Sequence, residues 1–172
     1  MKIIVGFGNI GHEYDYTRHN LGFMFLDYYL KINQLTWHTS QKFHSIWAKS
    51  DDLIFLKPQT YYNDVGLAAK ACADFYKIAA SDIFAICDDF NLDFAQIRFR
   101  QNGSSGGNNG LKSLAYHLRT TEFPRLRLGT NNHALRPQLG DTEFVLSRFT
   151  PAERERLPAF LQAAAQHLRQ FI

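Results

Sequence analysis

Residues 2–11 read KIIVGFGNIG. An unbroken apolar run that stops at glycine is the pattern of a buried strand entering a turn. Other segments of the same kind follow. FAIC at 84–87 reads as a second core strand, and FHSIWA at 43–48 and LIFL at 53–56 read as two short neighbouring strands, the latter ended by Pro58. QIRFR at 96–100 and PRLRLG at 124–129 alternate apolar and basic residues, as strands with one wet, positive face do. Between them lie helical patterns: 19–31, 63–76 with Asn63 or Asp64 placed to cap it, and 111–118. A capping box at Thr150 and Glu153, with Pro151 at the first helical position, opens a last helical region. Pro158 is expected to divide that region into a short turn and a final helix. Strands alternating with helices imply an α/β domain, and the two short adjacent strands imply some antiparallel pairing in a mixed sheet.

Length and composition narrow the class. At 172 residues the chain fits one domain, 1–172, large enough to bury a core without disulfides or metals. Hydrophobic residues make up 45% and charged residues 20%, which excludes a disordered chain. Gly6 interrupts the first apolar run, so no secretory signal is expected there, and no run approaches the roughly 20 apolar residues of a membrane span. Cys72 and Cys87 fall in apolar stretches and read as small buried hydrophobes, not a disulfide framework, so a cytoplasmic protein is expected. The net charge of +3 permits a polyanionic partner without requiring one. Its distribution is more telling, since Arg98, Arg100, Lys112, Arg119, Arg125, Arg127 and Arg136 follow one another with only Glu122 between them.

Common catalytic signatures fail on spacing. GFGNIG at 6–11 has the glycine spacing of a dinucleotide fingerprint, but Asp27, the acidic residue at the right count, lies in a helical pattern and not at a strand end. GSSGGNNG at 103–110 precedes a helix and could cradle an anion, yet lacks the Lys-Ser/Thr ending of a P-loop. The seven histidines form no i, i+4 pair and no Cys/His cluster, so no metal is expected. No G-x-S-x-G elbow is present. What remains is His19 in a charged loop-like stretch, the pair Asp88-Asp89 at a strand end, and asparagines beside glycine turns or helix starts. Taken singly, each has a structural explanation: His19 as a helix-start residue, Asn9 in a left-handed turn, Asn63 as a cap, Asp88 as a loop carboxylate.

In combination these segments resemble the bacterial peptidyl-tRNA hydrolase family. The blocks that carry the resemblance are GFGNIGHEYDYTRHNLGF at 6–23, LKPQTYYNDVG at 56–66, CDDFNL at 87–92, IRFRQNGSSGGNNGLKSL at 97–114, FPRLRLG at 123–129 and FVLSRFTPAE at 144–153. The resemblance implies a single three-layer α/β/α domain on a twisted mixed sheet, acting as a monomer without metal or cofactor. It implies cleavage of the ester between a peptide and tRNA, which recycles tRNA for translation, with the acceptor stem and 3′ end of peptidyl-tRNA as partner. By the same resemblance His19 matches the catalytic base and Asp88 its aspartate partner. Asn9, Asn63 and Asn109 match the active-site asparagines, Tyr14 and Tyr62 are placed beside the peptide, and Arg100 and Arg127, with Lys112, on tRNA phosphates.

The chemistry suits these residue types. A histidine side chain, with an ordinary pKa of about 6.5, can take a proton from water near neutrality, and a carboxylate can fix its tautomer. Amide NH₂ groups can donate to a developing oxyanion without adding charge. The chain departs from the family pattern at several places. Ile10 stands for a usual proline, Tyr62 for a methionine, Val65 for a serine and Asn108 for the histidine of GGHNG, while the usual Leu-Pro-x-Gly after the aspartate is absent. The alternative these departures raise is a weak or inactive RNA-binding protein of the same fold.

Overall fold

The opening run forms β1 (Lys2–Gly6), which lies at the middle of the fold in a computed structural model describing residues 1–172. The other strands are β2 (His38–Ser40), β3 (Ser45–Ser50), β4 (Leu53–Pro58), β5 (Ile83–Asp93), β6 (Ile97–Arg100) and β7 (Arg125–Asn131). They make one seven-stranded sheet in the order β2-β3-β4-β1-β5-β7-β6. β4, β1, β5 and β7 run parallel, whereas β2 and β3 at one margin and β6 at the other pair antiparallel. The expected mixed sheet is thus a parallel centre with antiparallel edges.

Strand alternation sorts the core into two layers. Ile4, Phe55, Phe84, Ile86, Leu126 and Leu128 face one side, and Ile3, Val5, Ile54, Leu56, Ala85 and Cys87 the other. The first side is covered by α1 (Leu21–Ile32) and α6 (Pro151–Leu168), the second by α2 (Val65–Tyr76) and α3 (Asn109–Leu118). Helices on both faces give the α/β/α layering, and no helix is long and apolar enough to cross a membrane.

Several local expectations are corrected. Pro158 does not divide the last helix: α6 is continuous from Pro151 to Leu168 and carries both halves of the capping box. Pro158 is exposed, so the carbonyl of Arg154 that loses its partner faces water, while Leu157, Phe160, Leu161, Ala164 and Leu168 stay buried on the opposite side. β5 runs on past Asp88-Asp89 to Asp93, with a shift of register against β7 between Asp89 and Asp93. Two short helices for which the sequence shows no period follow β7, α4 (Arg136–Leu139) and α5 (Asp141–Leu146). The helix after β1 begins only at Leu21, preceded by 3₁₀ turns at His12–Tyr14 and Arg18–Asn20, so the glycines at 6–11 meet no helix start of the dinucleotide kind.

Candidate active site

In a parallel sheet, loops leaving the carboxyl ends of the strands gather at one edge. Here the loops after β1 and β4, with the far part of β5, enclose a cleft of about 490 Å³. Its wall includes Asn9, Tyr14, His19, Tyr62, Asn63, Asp88, Asn109 and Arg127, so eight of the ten residues singled out from sequence meet in one place.

His19 sits in the 3₁₀ turn Arg18–Asn20, and buried chemistry fixes that turn from both sides. Arg18 is fully buried. Its guanidinium donates to Glu153 Oε1 and Oε2 at 3.0 and 2.7 Å, to the Thr130 carbonyl at 3.0 Å and to Ser147 Oγ at 3.2 Å. On the other side Gly22 brings the start of α1 against β1 and β5. A Cβ there would stand 2.4 Å from the Phe7 nitrogen and 2.5 Å from the Ile86 carbonyl oxygen, so only glycine permits the approach.

Asp88 is 2% exposed and both its oxygens are engaged. Oδ2 lies 2.9 Å from His19 Nδ1, and Oδ1 accepts the Tyr62 hydroxyl at 2.6 Å. A carboxylate only accepts, so the facing His19 nitrogen carries its proton and Nε2 is left with a free lone pair. The imidazole also stacks on the Tyr62 ring, centroids 3.5 Å apart and planes 7° from parallel.

The amides divide into held and open groups. Asn20 accepts the Asn9 backbone N–H at 2.8 Å and donates to the Asn9 carbonyl at 2.9 Å, which pins that residue. Asn9 Oδ1 then accepts the Tyr62 backbone N–H at 2.8 Å, so its NH₂ is the end left for a ligand. Asn63 and Asn109 are exposed on the cleft wall. Neither helix cap suggested for α2 forms a side-chain bond. The capping side chain lies elsewhere: Asn108 accepts the Leu111 N–H at the start of α3. Because one residue, Asn108, already serves as the cap, the Asn109 side chain is not needed for it.

The basic residues separate. Arg127 Nε stands 3.0 Å from Asp89 Oδ2, an ion pair whose angle falls short of a hydrogen bond, and Gly106 of the glycine loop lies against its guanidinium. Arg100 and Lys112 are exposed but lie outside the cleft wall. Arg98, not Arg100, is the direct cross-strand neighbour of Arg127. Arg125 shares a side of β7 with Arg127, yet it is buried and donates to the carbonyls of Gly103, Ser104, Thr121 and Phe123. It belongs to the scaffold of the glycine loop, which corrects the expectation of an open basic face there.

The Peptidyl-tRNA hydrolase family model matches residues 3–172. The chain belongs to the peptidyl-tRNA hydrolase family. A peptidyl-tRNA hydrolase from Lactobacillus gasseri is 41% identical over 177 residues, spanning 100% of this chain and 93% of the relative. One from Leuconostoc mesenteroides is 39% identical over 176 residues with the same coverage. Among solved structures, the peptidyl-tRNA hydrolase from Acinetobacter baumannii superposes with a TM-score of 0.88 at 29% identity, covering 98% of this chain and 87% of that one.

The peptidyl-tRNA hydrolase cleft is also shaped by residues that sequence reading missed. Asn20 and Arg18 act through neighbours and carry no signal of their own. Asp141, Thr142, Val145 and Leu146 supply a wall from α5, a helix too short to show periodicity. No group of three or more His, Cys, Asp or Glu side chains is arranged to hold a metal ion.

Proposed function

We propose that this chain hydrolyses the ester joining a peptide to the 3′ end of tRNA, with His19 as general base and Asp88 as its orienting carboxylate. The observation that carries this reading is the 2.9 Å contact between His19 Nδ1 and Asp88 Oδ2 inside the cleft. Asp88 holds the Nδ1–H tautomer, and Nε2 takes a proton from water as the water oxygen attacks the ester carbonyl carbon. The carbonyl oxygen gains negative charge, and the open NH₂ of Asn9 is the held donor nearest in kind to what that charge requires. When the intermediate collapses, the carbon–oxygen bond to the ribose breaks and the imidazolium returns its proton to the departing oxygen.

Asn63, Asn109 and Tyr14 meet the peptide through polar groups that select no side chain, which suits an enzyme that clears many peptides. Arg127, with Arg100 and Lys112 outside the cleft, engages phosphates and positions the acceptor end without reading bases. The working unit is one 1–172 domain, a monomer in the cytoplasm.

The test is release of peptide from peptidyl-tRNA by purified protein without added metal, alongside His19→Ala. Loss of turnover by about 10² to 10⁴ in the variant, with tRNA affinity retained, supports the assignment. Equal rates would remove His19 from the role of base. Tight, salt-sensitive tRNA binding without hydrolysis by the wild type would mark a binding protein instead.

A further inference from the structure

Tyr62 is placed unlike a residue that greets substrate. It is 2% exposed, and its hydroxyl is fully engaged beneath the imidazole. Asn108 Oδ1 accepts the Leu111 N–H at 3.0 Å, which turns the Asn108 NH₂ toward the Tyr62 hydroxyl at 2.8 Å. The hydroxyl has one proton, and Asp88 Oδ1, an acceptor at 2.6 Å, takes it. The order of donation is therefore Asn108 to Tyr62, Tyr62 to Asp88, and His19 Nδ1–H to the other oxygen of Asp88.

We propose that Tyr62 is a positioning residue for hydrolysis, setting the proton affinity of His19 through Asp88, and that Asn108 fixes the direction of its hydroxyl. The proposal rests on His19 being the base. The negative charge of Asp88 stabilises an imidazolium, and a second donor on the same carboxylate draws on that charge. Tyr62 thus holds His19 in its proton-accepting form at a lower pH than Asp88 alone would allow, while the stacked ring keeps the imidazole in plane. Burial first, then the Asp88 charge, push the Tyr62 phenol well above its ordinary value, so it stays a donor wherever histidine titrates.

The other ionisable groups around the imidazole are already committed or neutral. Asp89 is paired with Arg127, Asp141 of α5 with Arg136, Arg18 with Glu153, and Asp27 of α1 with Lys57 of β4. Burial raises the Cys87 thiol out of the range in which it could ionise near neutrality. Tyr14 and Tyr61 are the other phenols on the cleft wall.

Tyr62→Phe keeps the ring and removes the hydroxyl, which is the donor to Asp88 and the acceptor from Asn108. The acid limb of kcat/KM against pH is expected to move up by about half to one pH unit. The His19 imidazole, followed by NMR in histidine-labelled protein, moves with it. Asn108→Ser, which retains an oxygen able to cap α3, shifts the midpoint the same way by less, and adds nothing on top of Tyr62→Phe. Tyr62→3-fluorotyrosine, a stronger acid of nearly the same shape, moves it down. Coincident His19 titrations in wild type and Tyr62→Phe overturn the proposal. If Tyr62→Phe does not fold, an unmoved midpoint in the fluorotyrosine protein overturns it equally. Failure of the wider reading looks different: wild type would not hydrolyse, or His19→Ala would remain active, whereas the NMR titration reads Tyr62 in either case.

Discussion

The Arg18 guanidinium grips both oxygens of Glu153, at 3.0 and 2.7 Å, so the residue beside His19 is clamped to the first turn of α6 by an ion pair closed to solvent on the arginine side. Removing one partner of such a pair strands a buried charge, which costs about 3–5 kcal/mol. Glu153→Gln is expected to lower the melting temperature by on the order of 10 °C and to reduce kcat as the 3₁₀ turn loosens. A melt coincident with that of the wild type would show that the clamp contributes nothing.

The same carboxylate makes stability depend on pH. Burial pushes Glu153 up, but hydrogen bonds from Arg18, the Thr150 backbone N–H and Asn132, with the Arg18 charge, outweigh it and hold the group below its ordinary value. A folded value below the unfolded one means the folded state takes up the proton less readily. This contribution is fully present above the unfolded value of about 4.3 and is lost as pH falls through the folded value. Urea midpoints for wild type and Glu153→Gln should therefore differ most near neutrality and converge below about pH 4. A constant gap across that range would contradict the linkage.

Asp88→Asn tests the orienting carboxylate without changing size. Two donors, His19 Nδ1–H and the Tyr62 hydroxyl, meet the two oxygens of Asp88, and an asparagine offers only one oxygen to them. Its NH₂ must face one former donor. If that is His19, the ring is driven to the other tautomer and Nε2 ceases to be a base. A fall in kcat of about 10³ to 10⁴ is expected with KM little changed. A main effect on KM would assign Asp88 to binding.

Asn9→Asp separates scaffold from chemistry at the next residue. The oxygen that accepts the Tyr62 backbone N–H is preserved, while the open NH₂ becomes an oxygen. An oxyanion would then meet a lone pair in place of a donor, so kcat should fall about 10² to 10³ or more with the melting temperature nearly unchanged. Retained kcat would place the oxyanion donor elsewhere, at Asn63 or Asn109.

The strands and the major helices were legible because each is a run of apolar residues with one period, and the run KIIVG at 2–6 sets the central strand by itself. Pro158 misled because a rule about backbone bonds outweighed the uninterrupted stripe around it. The apolar face decides the helix where the lost bond lies in water. His19, Asp88 and the asparagines could be picked out only as an ordered set, since singly each passes for a cap or turn residue. Arg18 could not be read at all: its partner lies 135 residues away, and a buried ion pair leaves no local period. Arg125 was misread for the related reason that strand alternation tells which side a side chain takes, not whether carbonyls wait there to receive it.

That difference between Arg125, Arg127 and Arg100 supports a last prediction, on tRNA binding. Arg100 is exposed and has no ion pair, so Arg100→Ala should weaken tRNA affinity, lower the slope of log affinity against log salt by about one, and leave stability alone. Arg127→Ala should weaken affinity too, but it also strands Asp89, whose side chain is 3% exposed, and therefore lowers the melting temperature. Lys112→Ala should follow Arg100, being exposed on α3. Affinity measured over a salt series, with melts of the same proteins, checks all three. If Arg98→Ala alone changed the slope, the phosphate partner of Arg127 would be its direct cross-strand neighbour and not Arg100.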